Sequence, residues 1–149
     1  MTKKYKYVFT KQRYYMPSLN YYNTQKAIYE KLTGNSQLMA SVSGIFDRVP
    51  QETSFPFITI GDISSNNLPN LNKNGIEQKL NINIWSREAG KKQTSDIMEL
   101  IYGLLNNGTI TVTGQTLVLM EFVSNSVELG DDGWTYHGIM RLRVVLYQN

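Results

Sequence analysis

The sequence predicts an α+β domain, a mostly antiparallel β-sheet with two main helices packed on one face. Three observations support this fold class. Apolar residues recur at helical spacing in two segments, they alternate with polar residues in several others, and Gly or Pro stands between most of these segments. The resulting order of helix, strand, strand, helix, strand, strand, strand is typical of helices gathered on one side of a sheet.

The first predicted helix follows a basic N-terminal segment. Asn23 or Thr24 can cap a helix that runs through Leu32, and Gly34 is placed to end it. Ser36 can cap a second, shorter helical turn. Both segments carry apolar residues for one buried face.

Two strands and a long loop are predicted next. The Asp-Arg-Val-Pro run at 47–50 predicts a turn, because proline cannot donate a ladder hydrogen bond and forces an extended residue before it. Residues 57–63 read as a strand, and residues 76–85 alternate strictly, as in a sheet with one buried side. The polar, Asn-rich segment 64–75 buries too little apolar area to offset its ordering entropy. We therefore expect a long mobile hairpin loop there.

The C-terminal half predicts one helix and three strands. Residues 95–107 have apolar side chains at helical spacing with Gly108 beyond the end. Residues 109–113 and 116–124 are predicted to form a hairpin around Gly114-Gln115, and Asp131-Asp132-Gly133 predicts a further turn. The last strand, 134–147, should place Trp134 and Tyr136 with Met140, Leu142, Val144 and Leu146 on an apolar face, opposite a basic one.

Residues that could carry chemistry do not form a recognisable catalytic site. We expect a solvated helix face for Asp96 and Glu99, a turn for Asp131-Asp132, and a hydrogen-bonded or exposed strand position for His137, the only histidine. Phosphate-loop, Rossmann, nucleophile-elbow and metal-helix motifs are missing from the sequence. We predict a non-enzyme with no catalytic residue, cofactor or metal. An enzyme without a known motif is the alternative.

Composition sets broader bounds. The 149 residues fit one domain with a core of its own, and the lack of cysteine excludes disulfides and Cys-based metal sites. We expect a soluble protein without a signal peptide, because no apolar run follows the basic N-terminus and none is long enough to span a membrane.

The positive charge is concentrated in residues 1–22, which we predict to be a basic, Tyr-rich N-terminal arm before a single α+β domain at 23–149. The arm contains five of the fifteen basic residues and none of the twelve acidic ones, so the domain is slightly acidic. Three roles stay open: the arm lies on a neighbouring subunit, it is a partly disordered terminus, or its cations and rings contact nucleic acid.

Three separated motifs carry a resemblance to a known family. They are Gly44-Ile45-Phe46-Asp47-Arg48-Val49-Pro50, Phe55-Pro56-Phe57-Ile58-Thr59-Ile60-Gly61 and Ile82-Asn83-Ile84-Trp85-Ser86-Arg87-Glu88-Ala89-Gly90. In this order and spacing the chain resembles, over residues 24–147, the tail-completion or tail-terminator proteins of long-tailed bacteriophages, prophages and gene-transfer particles. The N-terminal arm departs from that pattern, being longer than the lead expected before the first helix.

The resemblance implies a structural role. Such domains assemble as a six-fold ring on the end of the tail tube, stop its polymerisation and provide the surface that docks onto the DNA-filled head. The implied partners are other copies of the chain, the tail tube protein and the head-tail connector proteins, with DNA passing nearby and no membrane. The implied location is the head-proximal end of the tail in the virion, and the host cytoplasm during assembly.

Two other functions remain open from the sequence: a head-tail connector subunit, adaptor or stopper, and a basic nucleic-acid-binding module. The candidate interface residues come from the arm, the Asn-rich loop and the last strand. They are Lys3, Lys4, Lys6, Lys11, Arg13, Asn66, Asn67, Leu68, Leu71, Lys73, Arg141 and Arg143.

Overall fold

The computed structural model describes residues 19, 21–68 and 74–149. Three helices and five strands lie in this part of the chain. In chain order they are α1 (Tyr21–Thr33), α2 (Ser36–Ser41), β1 (Ile45–Phe46), β2 (Phe57–Leu68), β3 (Gly75–Ser86), α3 (Lys92–Leu105), β4 (Gln115–Leu129) and β5 (Tyr136–Gln148).

The strands form one sheet in the order β1-β2-β3-β5-β4. β1 pairs with β2 in parallel, and every other neighbouring pair is antiparallel. β5, the last strand in the chain, therefore lies between β3 and β4. This architecture confirms the predicted α+β class with a mostly antiparallel sheet.

The helices cover one face of the sheet and form the core with it. On β3, the alternating residues Ile76, Leu80, Ile82 and Ile84 are buried against this side. Buried residues of the helices complete the cluster, among them Ile28, Leu32, Leu38, Ile97, Ile101 and Leu105. The apolar side chains that recur every second residue in β3 and about every 3.6 residues in the helices thus pack together in one layer.

Gln78 is among the polar side chains buried on this helix-covered face. Gln78 of β3 is fully buried, and its Nε2 donates to the backbone carbonyl of Leu19 at 2.6 Å. Its Nε2 also lies 3.3 Å from Ser65 Oγ. A buried amide requires such partners, so this bond fixes where the chain before α1 meets the sheet.

The N-terminal boundary differs from the prediction. Helix α1 begins at Tyr21, so Tyr21 and Tyr22, assigned to the arm, lie in its first turn. Asn23 and Thr24 are inside the helix and Thr24 is buried, which makes the predicted cap wrong. The other residues of the arm lie outside the described part. In α2 the cap is Asn35, not Ser36: its Oδ1 accepts from the Leu38 backbone N–H at 2.8 Å.

The predicted long loop at 64–75 is wrong over its first five residues. Strand β2 continues to Leu68, and residues Ser64–Leu68 pair with β3 from Lys79 to Gly75. The extension is polar because backbone ladder bonds need no apolar side chain and this part of β2 is largely exposed. A bulge between Ile60 and Ile63 interrupts the pairing, with Gly61 and Asp62 opposite a single β3 residue.

The predicted strand at 109–113 is also wrong. None of these residues belongs to a strand; Val112 is buried and Ile110 packs on the core. The predicted turn is real but sits at 112–115, where the Gln115 N–H donates to the Val112 carbonyl at 3.1 Å and Gly114 has φ +76°.

Three further boundaries differ from the prediction, and one strand was not predicted. β4 runs past residue 124 to Leu129, and β5 begins at Tyr136, so that Trp134 is not on an apolar face but 75% exposed. Helix α3 begins three residues earlier than predicted, at Lys92. The two-residue strand β1 was not predicted. It lies within the first motif and pairs with the start of the second.

Candidate assembly interface

The sheet face opposite the helices, hereafter the open face, is not covered by any described element. It carries the side chains that alternate with the core positions of each strand, because neighbouring residues of a strand point to opposite faces. On β3 and β5 these are Glu77, Lys79, Asn81, Asn83, Trp85, His137, Ile139, Arg141, Arg143, Val145 and Tyr147. Two clusters divide this face: ion pairs towards one end and aromatic rings towards the other.

Arg143 joins three strands on the open face. Its Nε donates to Glu77 Oε2 on β3 at 2.6 Å, and its Nη1 donates to Glu121 Oε1 on β4 at 3.0 Å. Lys79 Nζ lies 3.7 Å from Glu77 Oε1. The hydrogen bond from Arg143 holds the pKa of Glu77 below its ordinary value, and the two carboxylates raise the pKa of Arg143. The basic face expected for β5 is therefore neutralised at Arg143, whereas Arg141 is exposed.

An aromatic row crosses the open face near the other end. Trp85 and His137 stack with ring centroids 3.9 Å apart and nearly parallel planes, Phe57 lies 6.3 Å from Trp85, and Phe46 lies 6.2 Å from Phe57. His137 Nε2 lies 2.8 Å from Asn83 Oδ1, as predicted for a hydrogen-bonded strand residue. Burial lowers the pKa of His137, partly opposed by the charge of Glu128. The imidazole thus favours its neutral, stacked form.

An open cleft of about 530 Å³ lies at the end of the aromatic row. Its lining combines the rings of Phe55, Trp85 and His137 with the acidic residues Glu128, Asp131 and Asp132. We call it the acidic aromatic cleft. The cleft therefore combines carboxylate groups with partly exposed aromatic rings.

One carboxylate of the cleft, that of Asp132, is held in place by hydrogen bonds within a turn. Asp132 Oδ1 accepts from the backbone N–H groups of Trp134 and Thr135, each at 2.9 Å, and its Oδ2 accepts from the Thr135 hydroxyl at 2.6 Å. These bonds lower the pKa of Asp132 to about 2. This confirms turn chemistry for Asp132. At the cleft's rim, Arg87 lies 4.3 Å over the Phe55 ring and donates to the Thr135 hydroxyl.

The two outer edges of the sheet differ. On the β1 side, β1 pairs only with Ile58 and Thr59, so residues 60–68 of β2 face no described strand on their outer side. On the other side, β4 is the edge. The Asn107 N–H donates to the Met120 carbonyl, and the Phe122 N–H donates to Asn106 Oδ1. These bonds cover the middle of the β4 edge.

Both bulges of β4 carry an exposed apolar residue. The pairing with β5 shifts between Leu117 and Leu119 and between Phe122 and Ser124, and the extra residues are Val118, 48% exposed, and Val123, 55% exposed. Bulges on an edge strand disfavour unspecific strand pairing. Exposed valines on such an edge are suited to a partner of matching shape.

The candidate interface residues fall into three groups. Asn66, Asn67 and Leu68 lie on the outer edge of β2, and Arg141 and Arg143 lie on the open face. The remaining seven lie outside the described residues: Lys3, Lys4, Lys6, Lys11, Arg13, Leu71 and Lys73. Sequence reasoning missed the aromatic row. Its only local signal was the aromatic content of the three motifs.

We also searched the described residues for a metal site and for a membrane-spanning helix. Residues 19, 21–68 and 74–149 contain no grouping of three or more His, Cys, Asp or Glu side chains that could hold a metal ion. No helix in the same ranges is long and apolar enough to cross a membrane. What the fold presents is a paired-strand scaffold with exposed edges and a patterned face, the features of an assembly subunit.

Comparison with known proteins gives the class and the family. Residues 26–147 match the family described as Tail completion protein gp17. The chain belongs to this family of phage tail completion proteins, which are structural components of the virion. A relative from Bacillus phage SPP1, Tail completion protein gp17, is 26% identical over 125 residues, which cover 84% of this chain and 92% of the relative.

Two solved structures share the fold. One, described as the virion of a native gene transfer agent particle, gives a TM-score of 0.76 at 14% identity and covers 83% of this chain and 93% of the matched chain. The other, the bacteriophage SPP1 gp17 protein, gives 0.58 at 24% identity, with 80% and 86% covered. At these identities the likeness concerns the fold. It supports the same sheet and helix arrangement.

Proposed function

We propose that the chain forms a closed ring, six-fold in symmetry, on the head-proximal end of the tail tube, where it ends polymerisation of the tube and provides the surface that docks the head. The family membership supports a tail completion role. The observation that carries the ring is the pair of unlike sheet edges, on β2 and on β4.

Unlike edges suit a head-to-tail interface. A ring arises when one surface of a subunit binds a different surface of the next and the rotation between them closes. The outer edge of β2 at 60–68 offers about 30 Å of strand. The β4 edge offers the exposed valines Val118 and Val123. Strand addition at a sheet edge supplies main-chain hydrogen bonds, while the side chains set the register.

Outside the acidic aromatic cleft, the open face is the proposed docking surface for proteins other than this chain. Arg141 is exposed there beside the neutralised Glu77–Arg143–Glu121 cluster. A fixed pattern of charge and aromatic surface favours one partner orientation over others. The tail tube protein and the head-tail connector proteins are the partners we propose, with DNA passing through the ring.

Electron microscopy of particles lacking this protein tests the proposed position. If the chain is a tail terminator, particles that lack it should have tails that are overlong or uncapped. Complete heads without tails, next to tails of normal length, would instead assign the chain to the connector.

A point substitution tests the ring itself. Val123→Asp places a charge on the β4 edge and should weaken self-association in light scattering without unfolding the chain, since this side chain is 55% exposed. Val49→Asp, at a 38% exposed position in the turn before β2, is the matched control. Wild-type protein that stays monomeric at high concentration and forms no ring on isolated tails would refute the proposal.

A further inference from the structure

We propose that the acidic aromatic cleft of one subunit binds the basic N-terminal segment, residues 1–18, of a neighbouring subunit. This inference rests on the self-association proposed above. It goes further by naming the binding site, its occupant and the chemistry of recognition.

The cleft has the chemistry to bind cationic side chains. Glu128 and Asp131 are exposed carboxylates on its wall, and Asp132 stays ionised because its hydrogen bonds hold its pKa at about 2. The same cleft is lined by ring surface from Phe55 and the Trp85–His137 stack. Cations bind favourably over aromatic faces, and carboxylates beside the rings add attraction.

The chain already uses this ring surface for a cation. The Arg87 guanidinium lies 4.3 Å from the centroid of Phe55. Arg87 is not among the residues that line the cleft. A second guanidinium or ammonium group would meet the same kind of surface further in.

The N-terminal segment is the complement of the cleft in charge and in side-chain type. Residues 1–18 contain five of the fifteen basic residues of the chain and none of its twelve acidic residues. The cations are Lys3, Lys4, Lys6, Lys11 and Arg13, and four tyrosines are interspersed among them: Tyr5, Tyr7, Tyr14 and Tyr15. Lysine and arginine can pair with the carboxylates while tyrosine rings pack on Trp85 and Phe55.

The geometry favours the cleft of a neighbour over the segment's own. Leu19 is bonded to Gln78 on the helix-covered face of the sheet. The cleft lies on the open face beside Trp85, seven residues further along β3, a separation of about 23 Å. The segment therefore starts on the wrong face and at the wrong end for its own cleft. Eighteen residues can extend about 60 Å, enough to reach an adjacent copy.

Charge exchange between two full-length variants tests the inference. The first variant has its five N-terminal cations changed to Glu, and the second has Glu128→Lys with Asp131→Lys. Each alone should self-associate at least tenfold more weakly at low salt, because segment and cleft then carry like charges. An equimolar mixture should recover wild-type association, since each mixed contact pairs opposite charges. Binding within one chain predicts no recovery on mixing, and that result would overturn the inference.

A control variant separates this contact from a general charge effect. Glu30→Lys with Glu99→Lys makes the same change of charge on the exposed surfaces of α1 and α3, away from the cleft. Its self-association should match that of wild type. If it weakens as much as the cleft variant, net charge and not the cleft controls association, and the inference fails.

Cross-linking of wild-type protein avoids any effect of substitution on folding. Equal amounts of unlabelled and ¹⁵N-labelled chains are treated with a carbodiimide, which joins a lysine amine to a carboxylate in contact. We expect links between the N-terminal lysines and Glu128 or Asp131 that combine the two labels. If rings form on tails but no such links are found, this inference is overturned and the proposal of a ring still stands. Wild-type protein that never associates would overturn both.

Discussion

Gly138 lies where helix α3 crosses strand β5, and replacing it with alanine should destabilise the protein. A Cβ at this position would be 2.5 Å from Thr94 Cγ2, 2.9 Å from Met98 Cε and 3.5 Å from Ile84 Cβ. The methionine methyl ends a flexible side chain and can move away. Thr94 is β-branched and fully buried, so its methyl group has few other positions and the backbone must shift instead.

The expected cost of Gly138→Ala is about 1–3 kcal/mol, the usual penalty for one extra carbon in a closely packed core. For a chain of this length the melting temperature should fall by about 3–10 °C. Urea unfolding followed by circular dichroism gives the free energy directly. If Gly138→Ala unfolds at the same urea concentration as the wild type, then α3 and β5 are not in close contact at this position.

A second substitution identifies the clashing group. Thr94→Ala removes the methyl group, together with a buried hydroxyl that has no hydrogen-bond partner among the described residues. The double variant should recover most of the lost stability, with a coupling energy of about 1–2 kcal/mol. Gly103→Ala on the exposed side of α3, where a Cβ meets nothing within 4 Å, should instead stabilise by about 0.5–1 kcal/mol. Failure of Thr94→Ala to rescue would place the strain elsewhere.

Three further substitutions test the open face and a helix cap. Arg143→Met should cost about 1 kcal/mol after allowance for solvent exposure, because Glu77 and Glu121 lose their shared partner; urea unfolding at two salt concentrations measures it, and an unchanged midpoint would contradict it. The lowered pKa of His137 means that its contribution to stability is complete above pH about 6.5 and is lost as the pH falls through its folded-state value. His137→Phe should therefore unfold with a shallower pH slope between pH 7.5 and 5 than wild type, and equal slopes would exclude His137 as the titrating group. Asn35→Ala removes the cap of α2 and should lower the free energy of unfolding by about 1 kcal/mol, whereas a neutral effect would show that packing alone holds this helix.

The elements predicted well from the sequence are those with one buried face. β3 and the centre of β5 alternate because each alternate side chain enters the same apolar layer, and this repetition is visible locally. The prediction was wrong where residues alternate between apolar and polar but do not lie beside another strand. Residues 109–113 alternate Thr with Ile and Val, but no described strand pairs with them, so their apolar side chains pack on the core without a ladder.

The surface features could not be predicted because they depend on strand order. Phe46, Phe57, Trp85 and His137 come from four strands, and their row exists only because β5 inserts beside β3. The pairing of Arg143 with Glu77 and Glu121 has the same origin. A single sequence shows that each strand has a polar face. It does not show which polar faces become neighbours.

The position of β5 also affects when the sheet can be completed. Its partners begin with Gly75 opposite Tyr147 and end with Ser86 opposite Tyr136, so α3 and β4 are synthesised before the strand that joins them to β3. Closing such long loops is entropically costly and makes folding slow. Without β5, strand β4 has no strand partner among the described residues, and helix α3, which packs on both strands, is what links it to β3. The two outer edges, on β2 and on β4, therefore belong to one continuous sheet only once β5 has paired with both of its neighbours.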